Sequence, residues 1–188
     1  KATREKMPEE MIEQLPYLWN ILESMDIPLL EEPGFEADDI IGTLATKASK
    51  KGLDVFIVSG DKDFMQLIND KIFLYAPSGR QADIKIYDRE GVIEKWGVPP
   101  EKIIDLLGLM GDSSDNVPGV LGVGEKTAVK LINEYGSLES SLDNANHVKN
   151  KRAREGLLNS KENAILSKEL VTIETQMDLE INLSQLKT

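Results

Sequence analysis

Apolar residues recur at two different spacings in the first half of the chain. Residues 8–25 carry apolar side chains at helical intervals, and Pro16 is expected to kink or split that helix. Residues 36–50 repeat the helical spacing, and Gly52 is expected to end this second helix. The run Val55–Val58 is a continuous stretch of apolar residues that favour strands, which is typical of a strand that is buried on both faces. The pattern predicts alternating helices and strands.

Shorter signals extend this alternation. Residues 27–30 and 72–75 are apolar runs that predict two more strands, and residues 61–67 predict a short helix. Such alternation is typical of an α/β unit with a largely parallel sheet. After Ile86 the strand signals fade, and helices are predicted at 89–96, 99–110, 125–135, 137–142 and 149–170. We therefore expect two domains, a partial α/β core over residues 1–88 and a helical module over residues 89–188.

Acidic residues gather in three clusters at the ends of these elements. The seven acids are Glu36, Asp38, Asp39, Asp61, Asp63, Asp112 and Asp115. In open parallel sheets, ligands bind beyond the carboxyl ends of strands, so the pair that follows Val58 lies where a site is expected. In the first cluster, a spacing of three puts Glu36 and Asp39 on one helix face, whereas Asp38 points elsewhere unless the first turn is irregular.

Carboxylates that converge in space repel one another. Two unit charges about 4 Å apart cost roughly 4 kcal/mol at an effective dielectric constant of about 20. A shared pocket therefore requires positive charge, and hard divalent cations with oxygen ligands supply it. Each cluster alone also has an ordinary explanation: the first as helix capping, the second as a strand-to-helix turn and the third as a polar loop.

A glycine-rich segment, residues 119–128, follows the third cluster. Its glycines let the backbone approach a phosphate closely, and the helix that begins near residue 125 offers free amide donors and a positive dipole end. We predict a duplex-binding hairpin within residues 111–135. The predicted contacts are Gly122, Val123, Gly124, Lys126, Thr127 and Lys130. The alternative is a tight turn between two helices of a small bundle.

Composition narrows the chemistry further. The 188 residues include no cysteine, which excludes disulfides, thiolate metal sites and cysteine nucleophiles. The formal net charge is −11, which by itself argues against a nucleic-acid partner. If bound metal ions neutralise the seven clustered acids, a net charge of −4 remains, and local basic patches are then sufficient for phosphate. No apolar run reaches the ~18 residues of a membrane span, so we expect no membrane association.

Four segments together carry a family resemblance. They are residues 34–45 (GFEADDIIGTLA), 59–63 (SGDKD), 109–120 (LMGDSSDNVPGV) and 122–128 (GVGEKTA). In order and spacing they resemble the 5′-nuclease (5′-3′ exonuclease) domain of bacterial DNA polymerase I, in the flap endonuclease family. The match extends over nearly the whole chain, and the combination of motifs is highly specific.

The resemblance implies a fold and an activity. The fold is a PIN-like α/β core with a parallel sheet, followed by an all-α helix–three-turn–helix (helix-hairpin-helix) DNA-binding module. The activity is structure-specific 5′-3′ exonuclease and flap endonuclease cleavage of DNA in replication and repair, with the seven clustered acids as direct or water-mediated ligands of two Mg²⁺ or Mn²⁺ ions. It also implies a polymerase domain in the same full-length protein and a bacterial cytoplasmic location.

The resemblance further assigns residues outside the acidic clusters. Lys1 and Arg4 resemble the basic pair of a helical arch that meets the scissile phosphate, and they are expected to offset charge that develops there. A potassium ion is expected at the backbone carbonyls near Val120 and Val123. We hypothesise two-metal hydrolysis, with the ions about 3.5–4 Å apart.

Two alternatives remain at this point. In the family, a first strand with an aspartate and a second aspartate precede the arch, and both would lie ahead of Lys1. The chain could therefore act only as a structure-selective DNA-binding module that lacks two ligands. A phosphohydrolase that acts on another substrate with the same carboxylates is the third hypothesis, against which the predicted hairpin argues.

Overall fold

The sheet combines parallel and antiparallel pairing. A computed structural model describes residues 6–78 and 83–179, with Ile181, Leu183 and Leu186, so the predicted arch residues Lys1 and Arg4 lie outside the described residues. The described strands are β1 (Val55–Val58), β2 (Ile72–Ser78) and β3 (Asp83–Tyr87), in the order β1-β2-β3. β1 is parallel to β2, whereas β3 is antiparallel to it. The predicted α/β class is confirmed, with one antiparallel strand that the sequence did not indicate.

Strand β1 is buried on one face only. The side chain of Ile57 is 5% exposed, whereas Phe56 is 55% exposed and Val58 is 70% exposed. The prediction of burial on both faces was therefore wrong. In the described residues β1 pairs only with β2, so it is an edge strand, and a continuous apolar run does not by itself distinguish edge from centre.

The first helical segment is split, as predicted from Pro16. Helix α1 (Glu9–Ile12) is followed by α2 (Leu15–Ser24), and Pro16 lies in the first turn of α2. Neither helix contains a buried residue, and Trp19 of α2 is 48% exposed. Residues 27–30 are irregular, so the strand predicted there was wrong. A four-residue apolar run forms a strand only where a neighbouring strand pairs with it.

Helix α3 (Ala37–Lys50) and the turn after β1 lead into the site. The helix confirms the prediction for residues 36–50, and its Ala45 packs in the core. The segment Lys62–Leu67 forms a 3₁₀-helix, whose Phe64 and Met65 are buried. Since Asp61 begins that helix directly after β1, the second acidic cluster lies at the carboxyl end of the strand.

Between β3 and residue 171 the described chain is mainly helical, with a loop at residues 111–124. The helices are α4 (Arg89–Trp96), α5 (Ile103–Met110), α6 (Glu125–Tyr135), α7 (Leu138–Asp143), α8 (Lys151–Asn159) and α9 (Lys161–Val171), with 3₁₀ turns at Pro100–Lys102 and Ala145–His147. The predicted helix at 149–170 is broken at Ser160. One hydrophobic cluster joins Ile57 and Leu74 of the sheet to Leu106 and Leu138 of the helices, so both parts share a core. The described residues contain no helix that meets the length and hydropathy of a membrane span.

The chain then returns to the α/β part through a strap, residues 172–179, that is neither helix nor strand. Met177 and Leu179 of the strap are buried in a small cluster with Ile40 of α3. The strap thus connects the end of α9 to the helix that carries the first acidic cluster.

Candidate active site

Five of the seven predicted acids surround one cavity. The cavity has a volume of about 190 Å³. It is lined by Glu36, Asp38, Asp61, Asp63 and Asp115, with Val117, Leu170 and Val171. Three separate segments therefore contribute the carboxylates, and the end of α9 contributes an apolar wall. The convergence that the charge argument required is present for these five side chains.

The N-terminus of α3 presents a different pair of acids from the one expected. Glu36 precedes the helix with extended backbone, and Asp38 lies in its first turn; both line the cavity. Asp39 does not line it. Instead, Asp39 Oδ2 accepts a hydrogen bond from the backbone N–H of Glu36 at 3.2 Å, and its Oδ1 accepts from the N–H of Glu174 at 2.9 Å. The extended backbone at Glu36 lets it share the cavity with Asp38, so the helical spacing of three did not decide which acids meet.

The turn after β1 holds the second pair of acids close together. Asp61 caps the 3₁₀-helix, and its Oδ1 accepts a hydrogen bond from the N–H of Asp63 at 2.9 Å. The hydroxyl of Ser59 accepts from the N–H of Asp61 at 3.1 Å. These local bonds hold the Asp61 carboxylate and the backbone of Asp63 at the cavity.

Asp63 is the most perturbed of these carboxylates. Burial, followed by the charge of Asp61, raises the pKa of Asp63 to about 7. Its Oδ1 is buried and has no hydrogen-bond partner among the described residues. An unsatisfied buried carboxylate oxygen is costly, so the site is suited to a cation or donor that the described residues do not provide.

Asp112 lies beside the cavity and is neutralised by the protein itself. Its Oδ2 pairs with the ammonium of Lys62 at 2.5 Å, and its Oδ1 accepts from the N–H of Ser114 at 2.8 Å. Burial alone would raise the pKa of Asp112, but these hydrogen bonds and the Lys62 charge hold it below its usual value. Two backbone bonds between Asp112 and Val117, at 2.7 and 3.0 Å, close the loop that also carries Asp115.

The carboxylate oxygens around the cavity are the right type of ligand for a hard divalent cation, but they do not form a complete coordination site. Carboxylate oxygens are the ligands that Mg²⁺ and Mn²⁺ prefer, and the unsatisfied Oδ1 of Asp63 is a candidate donor. Among the residues that the structure describes, no three carboxylate or imidazole groups are close enough to form a ready-made metal site.

The second predicted site contains a glycine turn, residues 119–124, between α5 and α6, in which Gly119, Val120 and Val123 are buried and Leu121 is exposed. Gly119 has a φ of +60°, and its N–H donates to the buried hydroxyl of Ser167 at 2.8 Å. Val120 and Val123 are 3% and 4% exposed, and the N–H of Val120 donates to the carbonyl of Leu109 at 2.8 Å. The turn is therefore fixed by its backbone against α5 and α9.

The start of α6 is open to solvent beside this turn. The first amides of a helix have no intrahelical acceptor, and Lys126 and Lys130 are exposed one turn apart. Gly124, which caps the helix, has no atom within 4 Å of where a Cβ would lie. At Gly122, by contrast, a Cβ would lie 2.7 Å from Cγ of Arg152, so the absence of a side chain lets this arginine of α8 lie against the turn.

Several neighbours of these sites were not singled out from the sequence. Lys62 lies between two acids in the second cluster, so its sequence position did signal a local counter-charge. Arg152 belongs to a basic run, but nothing in that run distinguished it from Arg154, which donates to the carbonyl of Val148 at 2.9 Å. The apolar wall from α9 depends on long-range packing, and a single sequence carries no signal for it.

Family models match the whole chain. Residues 1–97 match the N-terminal resolvase-like domain of 5′-3′ exonucleases, and residues 98–188 match the C-terminal SAM fold of the same enzymes. DNA polymerase I of Bacillus subtilis is 46% identical over 187 residues, and thermostable DNA polymerase I of Thermus filiformis is 41% identical over 187 residues. The chain spans only 21% and 22% of the lengths of these two relatives, while they match 100% of the chain.

Solved structures agree with the sequence matches. The T5 5′-exonuclease with bound zinc superimposes with a TM-score of 0.77 at 26% identity, over 93% of this chain and 64% of that one. A bacteriophage T5 flap endonuclease in complex with DNA and metal ions gives a TM-score of 0.75 at 26% identity, over 93% of this chain and 64% of that one. The catalytic core of Rad2 is similar in fold, with a TM-score of 0.58 at 19% identity, over 92% and 57% of the two chains. The chain therefore belongs to the 5′-3′ exonuclease family.

Proposed function

We propose that this chain is the catalytic portion of a structure-specific 5′-3′ exonuclease and flap endonuclease that hydrolyses DNA phosphodiesters with two divalent metal ions. One observation carries the proposal: five carboxylates from separate segments line one cavity, and one of them has a raised pKa and an unsatisfied buried oxygen. The T5 relatives, which were solved with metal ions and with DNA, support the same assignment.

The residues that would hold the ions are the five acids of the cavity, directly or through water, with Asp112 beside them. When bound, Mg²⁺ or Mn²⁺ supplies activation of a water molecule and stabilisation of the leaving 3′-oxygen. The protein contributes position: Asp61 and Asp63 are fixed by the turn after β1, and the apolar wall of Leu170 and Val171 limits water on one side. Lys1 and Arg4 keep their predicted role at the scissile phosphate as part of the proposal.

Duplex DNA would bind at the glycine turn and the start of α6. Gly122, Val123 and Gly124 present backbone to a phosphate, and Thr127, Lys126 and Lys130 follow on the first turns of α6. Such contacts position a duplex without reading its bases. A potassium ion at the carbonyls of Val120 and Val123 is part of this proposal. The carbonyl of Val120 already accepts from the N–H of Val123 at 3.0 Å, which leaves its second lone pair for an ion.

The test is cleavage of an end-labelled 5′-flap duplex in Mg²⁺, with and without chelator. We expect cleavage that chelator abolishes. Asp61→Asn should slow it by at least roughly 100-fold, since metal ligation contributes several kcal/mol in the transition state, while much of the DNA affinity remains. The matched control is Asp143→Asn, an exposed aspartate at the end of α7, which should cut at the normal rate. An Asp61→Asn variant that cuts normally would refute the assignment.

A second candidate is a DNA-structure-binding module without nuclease activity. The observation that favours it is the absence, among the described residues, of three acids close enough to bind a metal ion unaided. In the same assay, retarded but uncut DNA in Mg²⁺ would support the module. Lys126→Ala and Lys130→Ala should then each reduce the salt dependence of binding by about one counterion, with Lys161→Ala on α9 as the control.

A further inference from the structure

Asp39, one of the seven predicted ligands, contacts the strap and not the cavity. Asp39, Thr43 and Lys47 follow one another at intervals of four along α3, so they share one helix face. Each makes a hydrogen bond to the backbone of the strap. Of the three acids at the start of α3, Glu36 and Asp38 line the cavity, whereas Asp39 does not.

The contacts of this row are continuous along the strap. The N–H of Glu174 donates to Asp39 Oδ1 at 2.9 Å, and the Thr43 hydroxyl donates to the carbonyl of Glu174 at 3.3 Å. The same hydroxyl accepts from the N–H of Met177 at 3.3 Å, and Lys47 Nζ donates to the Met177 carbonyl at 3.3 Å. A Cβ at Gly42, on the neighbouring position of the helix, would lie 2.6 Å from Cγ2 of Ile173, so a glycine there permits the close approach of the strap.

The carboxylate of Asp39 accepts on both oxygens. Its Oδ2 accepts from the N–H of Glu36 at 3.2 Å, at the point where the chain enters α3, while its Oδ1 accepts from the strap. The side chain therefore joins the strap to the backbone of Glu36, whose side chain lines the cavity. A carboxylate that already satisfies two backbone donors is stabilised by the protein, unlike the unsatisfied Asp63.

We propose that Asp39 is a positioning residue that fastens the strap to the N-terminus of α3, and that it is not a metal ligand. The contrast with metal ligands rests on the proposed function, but the fastening does not. It follows that the fold loses stability without Asp39 even in the absence of metal, whereas removal of a ligand charge from the crowded cavity does not destabilise the metal-free protein.

The experiment compares Asp39→Asn with Asp63→Asn in chelator at pH 8. Asparagine offers one acceptor and directs its NH₂ group at the second backbone N–H, so one of the two hydrogen bonds is lost. Asp39→Asn should therefore lower the folding equilibrium constant by roughly tenfold, which is measured as a lower urea midpoint. The amide of Glu174 should exchange with solvent faster in Asp39→Asn than in the wild type. Asp63→Asn should leave the Glu174 amide unchanged and should not lower the midpoint.

Manganese binding, measured by calorimetry, separates the two roles. Asp63→Asn should weaken Mn²⁺ affinity at least tenfold, while Asp39→Asn should keep the number of bound ions. The proposal is overturned if Asp39→Asn keeps the wild-type urea midpoint and Glu174 exchange while it loses Mn²⁺ affinity as Asp63→Asn does. If neither variant changes Mn²⁺ affinity, the proposed metal site fails, but a lower midpoint for Asp39→Asn still supports the fastening.

Thr43→Val tests the strap without touching a charge. It removes a hydroxyl that bonds Glu174 and Met177, so it should lower the midpoint and expose the Glu174 amide as Asp39→Asn does. Because both side chains act on the same strap, the double variant should lose less than the sum of the single losses. Additive losses would contradict a shared fastening. Failure of Asp39→Asn to fold in chelator, while Asp63→Asn folds, would support it.

Discussion

The carboxylate cavity and the glycine turn differ in how the fold supports them. In the cavity, like charges converge, and the buried oxygen of Asp63 has no hydrogen-bond partner among the described residues. In the glycine turn, Val120 and Val123 are buried, and the N–H of Gly119 is satisfied by Ser167. The cavity presents side chains at a cost in stability, whereas the turn presents backbone that the core holds in place.

Because of this difference, substitutions in the cavity and in the turn should affect function and stability differently. A substitution in the cavity removes a charge that repels its neighbours, so we expect it to impair metal binding without loss of metal-free stability. A substitution that disturbs the turn disturbs the packing of α5 and α9 as well, so stability and DNA affinity should fall together. Such opposition is expected where a functional site carries strain that the rest of the fold offsets.

The largest effect is expected in the turn, for Gly119→Ala. The φ of +60° disfavours alanine, and its Cβ would lie 2.5 Å from the backbone nitrogen of Gly111. Backbone strain and overpacking together should reduce the free energy of unfolding by about 3 kcal/mol. Urea unfolding followed by circular dichroism measures the change.

Gly124→Ala is the matched control for that prediction. No atom lies within 4 Å of its Cβ position and its φ is −101°, so the loss should stay below about 1 kcal/mol. Equal losses for the two variants would show that the turn is not held by close backbone packing, and the comparison with the cavity would fail.

Features that depend on neighbouring residues could be predicted from the sequence, whereas contacts between segments far apart in the chain could not. The bounds of α4 and α6 follow from caps and spacing, and Asp61 and Asp63 follow from the end of β1. The choice between Asp38 and Asp39 did not follow, because it depends on a strap about 135 positions further along the chain. The row at intervals of four that ends in Lys47 was visible in the sequence, but its partner was not.

The exposed faces of β1 and α2 show the same limit. An apolar run indicates that a surface is suited to burial, but it does not indicate which neighbouring element covers that surface. Phe56 is about half exposed in the described residues, although its run predicted burial on both faces, and Trp19, from a segment of helical apolar spacing, is about half exposed as well. Periodicity therefore predicts element type well and burial less well, since burial is a property of pairs of elements.

An intermediate effect is expected where the cavity carries its own counter-charge. Lys62→Met leaves Asp112, whose side chain is 6% exposed, without its ammonium partner. Loss of one partner of a buried pair costs several kcal/mol, and the 30% exposure of Lys62 reduces this to about 2 kcal/mol. Unfolding in urea with chelator at pH 8 should show this loss.

The control is Lys71→Met, which breaks an exposed pair with Asp54 at 2.8 Å and should cost less than about 1 kcal/mol. A pH series adds a second check. Since the pKa of Asp112 is held below its usual value, the stability from this pair is present above the unfolded pKa and is lost as the pH falls through the folded pKa. The difference between Lys62→Met and the wild type should therefore shrink in acid, and a constant difference would contradict the pairing.

The smallest effect is the pH dependence from Asp63. Its pKa is raised to about 7 from the ordinary aspartate value of 3.8, so between these values the folded state binds the proton more tightly than the unfolded state does. In chelator, the stability from this group is present at low pH and is lost as the pH rises toward and through 7. Asp63→Asn cannot lose that proton, so its stability should be flatter from pH 4.5 to 8. At pH 8 it should exceed the wild type by on the order of 1 kcal/mol, since partial exposure screens the charge. Parallel curves for the two proteins in urea would mean that the cavity does not strain this carboxylate, and the contrast with the glycine turn would then rest on packing alone.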